Sequence, residues 1–132
     1  MLSRLKKVVV GVARELKKTA VRSPEWPTVR RKHLEKNPKC AACGGTRLCQ
    51  VHHKKPFHLD PALELDPENL ITLCIAKLCH IDIGHGDDYK AYNPNVEKDA
   101  ALSLQIPEKR AQIEAQAKAA RLYAEPPKPT RS

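Results

Sequence analysis

"CQVHHKKPF", residues 49–57, sets two imidazoles side by side, adds a lysine pair, and closes on Pro56 and Phe57. Successive side chains on a strand point to opposite faces, so His52 and His53 serve one site only where the strand ends or twists. "KKPF" supplies such an end, because Pro56 cannot donate a ladder hydrogen bond. The run "TRLCQVHH", 46–53, therefore reads as a strand with Val51 toward a core. Cys49 shares the face of Val51, as a small core residue or as a substitute metal ligand.

Cysteines flank this strand on both sides. Cys40 and Cys43 are spaced C-x2-C, and Cys74 and Cys79 are spaced C-x4-C. Zinc takes four soft ligands in a tetrahedron, and each short loop supplies two. Gly44 and Gly45 let the first knuckle fold back. A redox role for C-x2-C is disfavoured by the absence of a surrounding βαβ pattern. Structural Zn2+ on Cys40, Cys43, Cys74 and Cys79 is the expectation. The fifth cysteine makes the count odd, which argues against a closed disulfide framework and for a reducing cytosol.

Composition points the same way. Aromatic residues are only 4% of 132, so the core is thin, and thin cores lean on metals or disulfides. The net charge of +9 favours a polyanion, nucleic acid before membrane. No apolar run is long enough to span a bilayer, and no secretory signal is expected.

Outward from the centre, residues 1–21 form a basic amphipathic segment with Leu2, Leu5, Val9, Val12 and Leu16 at helical spacing. It reads as a helix that docks on the domain or frays in solution, in preference to one that binds a partner or lies on a membrane surface, and no membrane partner is expected. Pro27 starts a second helix that ends at Lys36 before Pro38, and Arg30 and Arg31 point outward from it. "NLITLC", 69–74, reads as a second strand, and "IAKLCHIDIGH", 75–85, as a short helix interrupted at Gly84. A metal shared by His80 and His85, five positions apart, requires that helix to stop there. "GDDYKAYNPN" reads as loop and 107–124 as a helix. The tail 125–132 reads as disordered. His33 and His58 are given no role.

The order "CAACGG", "VHHKKPF", "LELDPENLITLC", "LCHIDIGH", followed by "DDYKAYNPN", resembles the HNH endonuclease family. Within it the likeness is to small phage and prophage proteins of the ββα-metal, or His-Me finger, type. The resemblance implies an α+β fold: a small ββα-metal finger stapled by a four-cysteine zinc site, with flanking α-helices at both ends. The nuclease domain would span 22–100 and a C-terminal helix 101–124. His53 would be the general base and Asn69 the brace of the loop that carries it. His52 and His80, with His85 as a third ligand, would hold a catalytic divalent cation, Mg2+, Mn2+, Ni2+ or Zn2+. Arg30, Arg31, Arg47, Lys54 and Lys55 are candidates for phosphate contacts. The implied activity is hydrolysis of DNA phosphodiester bonds, by nicking or double-strand cutting, in a bacterial host cytosol. The implied partners are DNA and other phage proteins such as a terminase. The competing expectation is a non-catalytic, zinc-stabilised nucleic-acid-binding or phage packaging accessory protein.

Overall fold

Two five-residue strands organise the chain. Cys49–His53 (β1) pairs antiparallel with Leu70–Cys74 (β2), in a register that sets Cys49 opposite Cys74 and His53 opposite Leu70. The computed structural model describes residues 21–123. The helix expected over 1–21, apart from Val21, and the tail 125–132 lie outside the described residues. Every position of β2 is buried, whereas β1 is exposed at Gln50 and buried only at His52 and His53. β2 therefore runs through the interior and β1 along its margin.

Trp26–Lys36 (α1) begins with Pro27 in its first turn and ends where Asn37 closes on the His33 carbonyl, ahead of Pro38. The first knuckle follows. The Cys40 amide bonds the Gly45 carbonyl at 2.7 Å, and the Ala41 amide joins the knuckle to β2 through the Thr72 carbonyl at 2.8 Å. Gly44 sits at φ 75°, a left-handed conformation that glycine reaches without Cβ strain. Between the strands lie two short 3-10 turns, Pro61–Leu63 and Pro67–Asn69, the second capped by the Asp66 carboxylate on the Glu68 amide.

The helix expected over 75–85 starts later. Residues 75–78 form a turn closed by the Leu78 amide on the Ile75 carbonyl, with Leu78 left-handed at φ 61°. Two thiols separated by four residues must both fold back on one point, and a continuous helix would carry them apart. Helical winding then occupies His80–Gly84 and is one residue wider than an α-turn, since the His85 amide bonds the His80 carbonyl.

The C-terminal third differs more from its sequence reading. A helix, Val96–Gln105 (α2), crosses position 101, where a domain edge was expected. Ile106, at φ −133° and ψ 74°, has left the helical region that a residue before proline disfavours, and this ends α2. Pro107–Lys109 is a 3-10 turn, and Arg110–Ala120 (α3) completes what was read as one helix over 107–124. Ala91–Tyr92 (β3) and Leu122–Tyr123 (β4) form a second antiparallel pair. The core joins Ile71, Leu73, Ile83, Val96, Ala100 and Ile113 to the buried cysteines. It is α+β and holds no large aromatic side chain, as the composition implied. Among the described residues, no helix is long and apolar enough to cross a membrane.

Candidate metal centres

Cys40 and Cys43 come from the first knuckle, Cys74 from the end of β2 and Cys79 from the start of the widened turn. Their four sulfurs lie within 4.8 Å of one another. Sulfurs held about 2.3 Å from a tetrahedral zinc stand about 3.8 Å apart; Cys43 and Cys74 are 3.6 Å apart. Cys40, Cys74 and Cys79 are almost wholly buried. The thiols share protons at this range: Cys40 is pushed down to about 4, chiefly because Cys79 donates to it, and Cys79 is pushed up as that donor. The Cys74 amide adds a hydrogen bond to Cys40 Sγ. The set fits structural zinc in donor type, spacing and enclosure. Cys49 stays outside it, bonding the Gly45 carbonyl and packing against the core.

A second cluster is built from nitrogen. His52 comes from β1, His80 opens the widened turn, and His85 follows its last residue. His80 Nε2 lies 3.1 Å from His52 Nδ1 and 3.1 Å from His85 Nε2. The stop at Gly84, required for a common ion, is present, and the extra residue in the turn swings His85 back toward His80. Gly84 also makes room for the cluster, because a Cβ there would press on the His52 ring at 3.2 Å.

The outer nitrogens fix the inner ones. His85 Nδ1–H donates to the Ala91 carbonyl at 2.6 Å, and His80 Nδ1–H donates to Gln50 Oε1 at 2.9 Å. In the neutral rings both Nε2 atoms then present lone pairs to each other, an arrangement that a shared proton or a metal cation would relieve. Nitrogens about 2.1 Å from one ion stand about 3.0 Å apart at right angles and about 3.4 Å apart in a tetrahedron. The observed contacts fall between. Burial lowers the pKa of His52 well below 6.5, and the other imidazoles lower it further. Burial and His85 bring His80 down to about 4, and burial lowers His85. Neutral donors are what a divalent ion needs. Tyr89 stands edge-on to His80 and half-exposed at the rim.

His53 takes the opposite face of β1. Its Nε2–H donates to the Glu64 carbonyl at 3.0 Å, and its ring lies 4.5 Å from Trp26 of α1. Burial lowers its pKa, partly opposed by that carbonyl. Asn69 clamps the chain just beyond: its Oδ1 accepts from the Lys55 amide, and its Nδ2 donates to the carbonyls of Lys55 and Leu63.

The basic candidates differ in their partners. Arg30 and Arg47 are exposed, whereas Arg31 pairs with Glu35, Lys54 with Glu97 and Lys55 with Asp60. Sequence reading passed over several residues that hold these sites. Gln50 shares a strand face with His52, so simple alternation would have found it. Glu64 is 4% exposed and binds the Ser23 amide and Arg22, while its carbonyl holds His53. Nothing local in sequence marks Glu64, nor Arg110, which reaches Cys79 across 31 positions.

Fold and sites together define a small α+β protein with a sulfur cluster and an imidazole cluster, each able to hold a metal. No family model, curated protein or solved structure matches the chain.

Proposed function

We propose that the chain is a metal-dependent DNA endonuclease of the HNH kind, with β1, β2 and the turn 80–84 acting as a ββα-metal finger. One observation carries this reading. A three-imidazole cluster and a histidine of lowered pKa draw on successive residues of β1, on opposite faces of the strand, and the loop beyond that histidine is clamped by Asn69. The net charge of +9 suits a polyanionic substrate.

When bound at His52, His80 and His85, a divalent cation (Mg2+, Mn2+, Ni2+ or Zn2+) supplies positive charge where negative charge builds on the scissile phosphate and its leaving oxygen. The protein's own groups do the rest. His53 Nε2–H is committed to the Glu64 carbonyl, so the lone pair of the neutral ring is on Nδ1. Nδ1 takes the proton from the attacking water. Its lowered pKa keeps it free to do so at neutral pH. Asn69 holds the backbone at Lys55, which keeps the His53 ring from swinging with the loop. Arg30, Arg31, Arg47, Lys54 and Lys55 contact phosphates, three of them by exchanging a carboxylate partner. Zinc at the four cysteines staples the fold. The setting is phage-derived and within a bacterial host cytosol, with other phage proteins such as a terminase as further partners.

A second reading is a zinc-stabilised nucleic-acid-binding or packaging accessory protein without catalysis. It is favoured by one feature: His53 is only 9% exposed, with Trp26 against its ring. Cleavage of supercoiled plasmid after chelation and add-back of Mg2+, Mn2+ or Ni2+ separates the two. His53→Ala is expected to lose at least about 100-fold in rate with metal content unchanged. A variant as fast as wild type removes His53 as base, and inert wild type with every cation leaves the binding module.

A further inference from the structure

We propose that Arg110, at the start of α3, is a positioning residue for the sulfur cluster: it holds Cys79 in the cage and offsets the charge on its sulfur. The inference is independent of the nuclease reading and rests only on the thiols holding zinc.

Arg110 makes three contacts with one guanidinium. Nη1 donates to Cys79 Sγ at 3.2 Å, Nη2 donates to the Lys77 carbonyl at 3.2 Å, and Nε donates to Glu114 Oε1 at 2.6 Å. The planar fork reaches a sulfur and a carbonyl together, and its third edge is anchored on Glu114 one helical turn away. Cys79 and Lys77 lie in the second knuckle, the one with the wider spacing and a left-handed leucine. A turn of that kind is less constrained than the glycine-bearing knuckle at 40–45, and Arg110 ties it from outside. Four thiolates on Zn2+ leave a net charge of about −2. A guanidinium on one sulfur withdraws electron density from it and lowers its reactivity toward electrophiles.

The contact is not a by-product of packing α3. The helix is seated by Ile113 and Ala117, which are buried, and its far end is fastened by Arg121, whose Nη1 donates to the Gly86 carbonyl at 2.9 Å. Arg121 thus makes the same kind of anchor without touching a thiol, and serves as an internal control.

The test uses the full chain loaded with Zn2+, exposed to iodoacetamide in the presence of a chromogenic zinc indicator. Each reacting sulfur displaces iodide to form a thioether, and the weakened site releases its ion. Arg110→Gln is expected to release zinc about tenfold faster than wild type, the loss of one charge-assisted hydrogen bond at its lower limit. Its Co2+-loaded form is expected to show a sulfur-to-metal charge-transfer band shifted to lower energy. Arg110→Lys should fall between, since an ammonium keeps the charge but cannot span Sγ, the Lys77 carbonyl and Glu114 at once. Arg121→Gln should match wild type in both readouts. Wild-type rate and spectrum in Arg110→Gln would overturn the proposal, as would equal acceleration in Arg121→Gln, or a wild-type chain that takes up no zinc. Where Arg110→Gln fails to fold, Arg110→Lys decides: behaviour identical to wild type sinks the idea.

Discussion

Both clusters draw ligands from the hairpin and from the turn that follows it, yet they close in different ways. The sulfur cluster draws on two knuckles, offers four ligands and is sealed by core residues. The imidazole cluster offers three and is bordered by half-exposed Tyr89. A full, buried ligand set suits a structural ion, and an incomplete one at the surface suits an ion that must also meet a substrate. The division follows from β2 and β1. Cys74 ends the strand that is buried at every position, whereas His52 lies on the strand with an exposed margin.

The comparison breaks first at Cys74. Binding of structural zinc is worth on the order of 10 kcal/mol, comparable to the whole stability of a small domain. Cys74→Ser is expected to unfold the chain at 25 °C, and stripping zinc from wild type should do the same. Far-UV circular dichroism with zinc analysis checks it. A folded Cys74→Ser protein would show that the hydrophobic cluster suffices alone.

His80→Ala should act on function and spare the fold. His80 Nε2 lies within 3.1 Å of a nitrogen of each of the other two rings. Its loss is expected to weaken cation binding by more than about 100-fold, since even an outer partner of a ligand is worth about 10–100-fold. Bound metal should fall from two ions per chain to one, with the zinc that survives mild chelation retained. Calorimetric titration and metal analysis measure this. Loss of both ions together would mean that the clusters are one unit.

Gln50 offers a finer cut. Gln50→Leu removes the acceptor that holds His80 Nδ1–H and leaves the ring free to adopt the other tautomer. Cation affinity at the imidazole cluster is expected to fall about tenfold while the sulfur cluster is untouched. An unchanged affinity would mean that packing, not the amide, orients the ring.

What the sequence disclosed tracks how local each feature is. Cys40 with Cys43, Cys74 with Cys79, and the step from His52 to His53 are set by spacing and strand alternation, and all can be read from short stretches. The first half of α2 carries no clear signal because the helix's buried face is Val96, Asp99, Ala100 and Ser103, half of it polar, while Leu104 is exposed. Hydrophobic periodicity is blind to such a helix. Its polar face is nonetheless satisfied: Asn93, fully buried, donates to Asp99 and to the Ile83 carbonyl, so "NP" ties α2 to the widened turn. The widening itself and the Arg110 contact depend on tertiary packing and leave no mark in composition. β3 and β4, two residues each, are too short to carry a pattern.

The smallest expected effect separates the clusters by strain. Near the imidazoles the left-handed positions are Gly86 at φ 60° and Asp87 at φ 76°, types that tolerate it. Beside the sulfurs they are Gly44 at φ 75°, which tolerates it, and Leu48 at φ 53° and Leu78 at φ 61°, which do not. Leu78 is half-exposed, so truncating it removes some packing, and comparison with wild type would mix two effects. Comparing Leu78→Gly with Leu78→Ala cancels the packing loss and leaves the backbone. Ala keeps the Cβ that clashes in this conformation, so Gly should be the more stable by about 1 kcal/mol, the reverse of their usual order in regular structure. Denaturant unfolding of the two zinc-loaded variants measures it. If Ala proves equal or better, the second knuckle carries no backbone strain, and the wider C-x4-C spacing closes without cost.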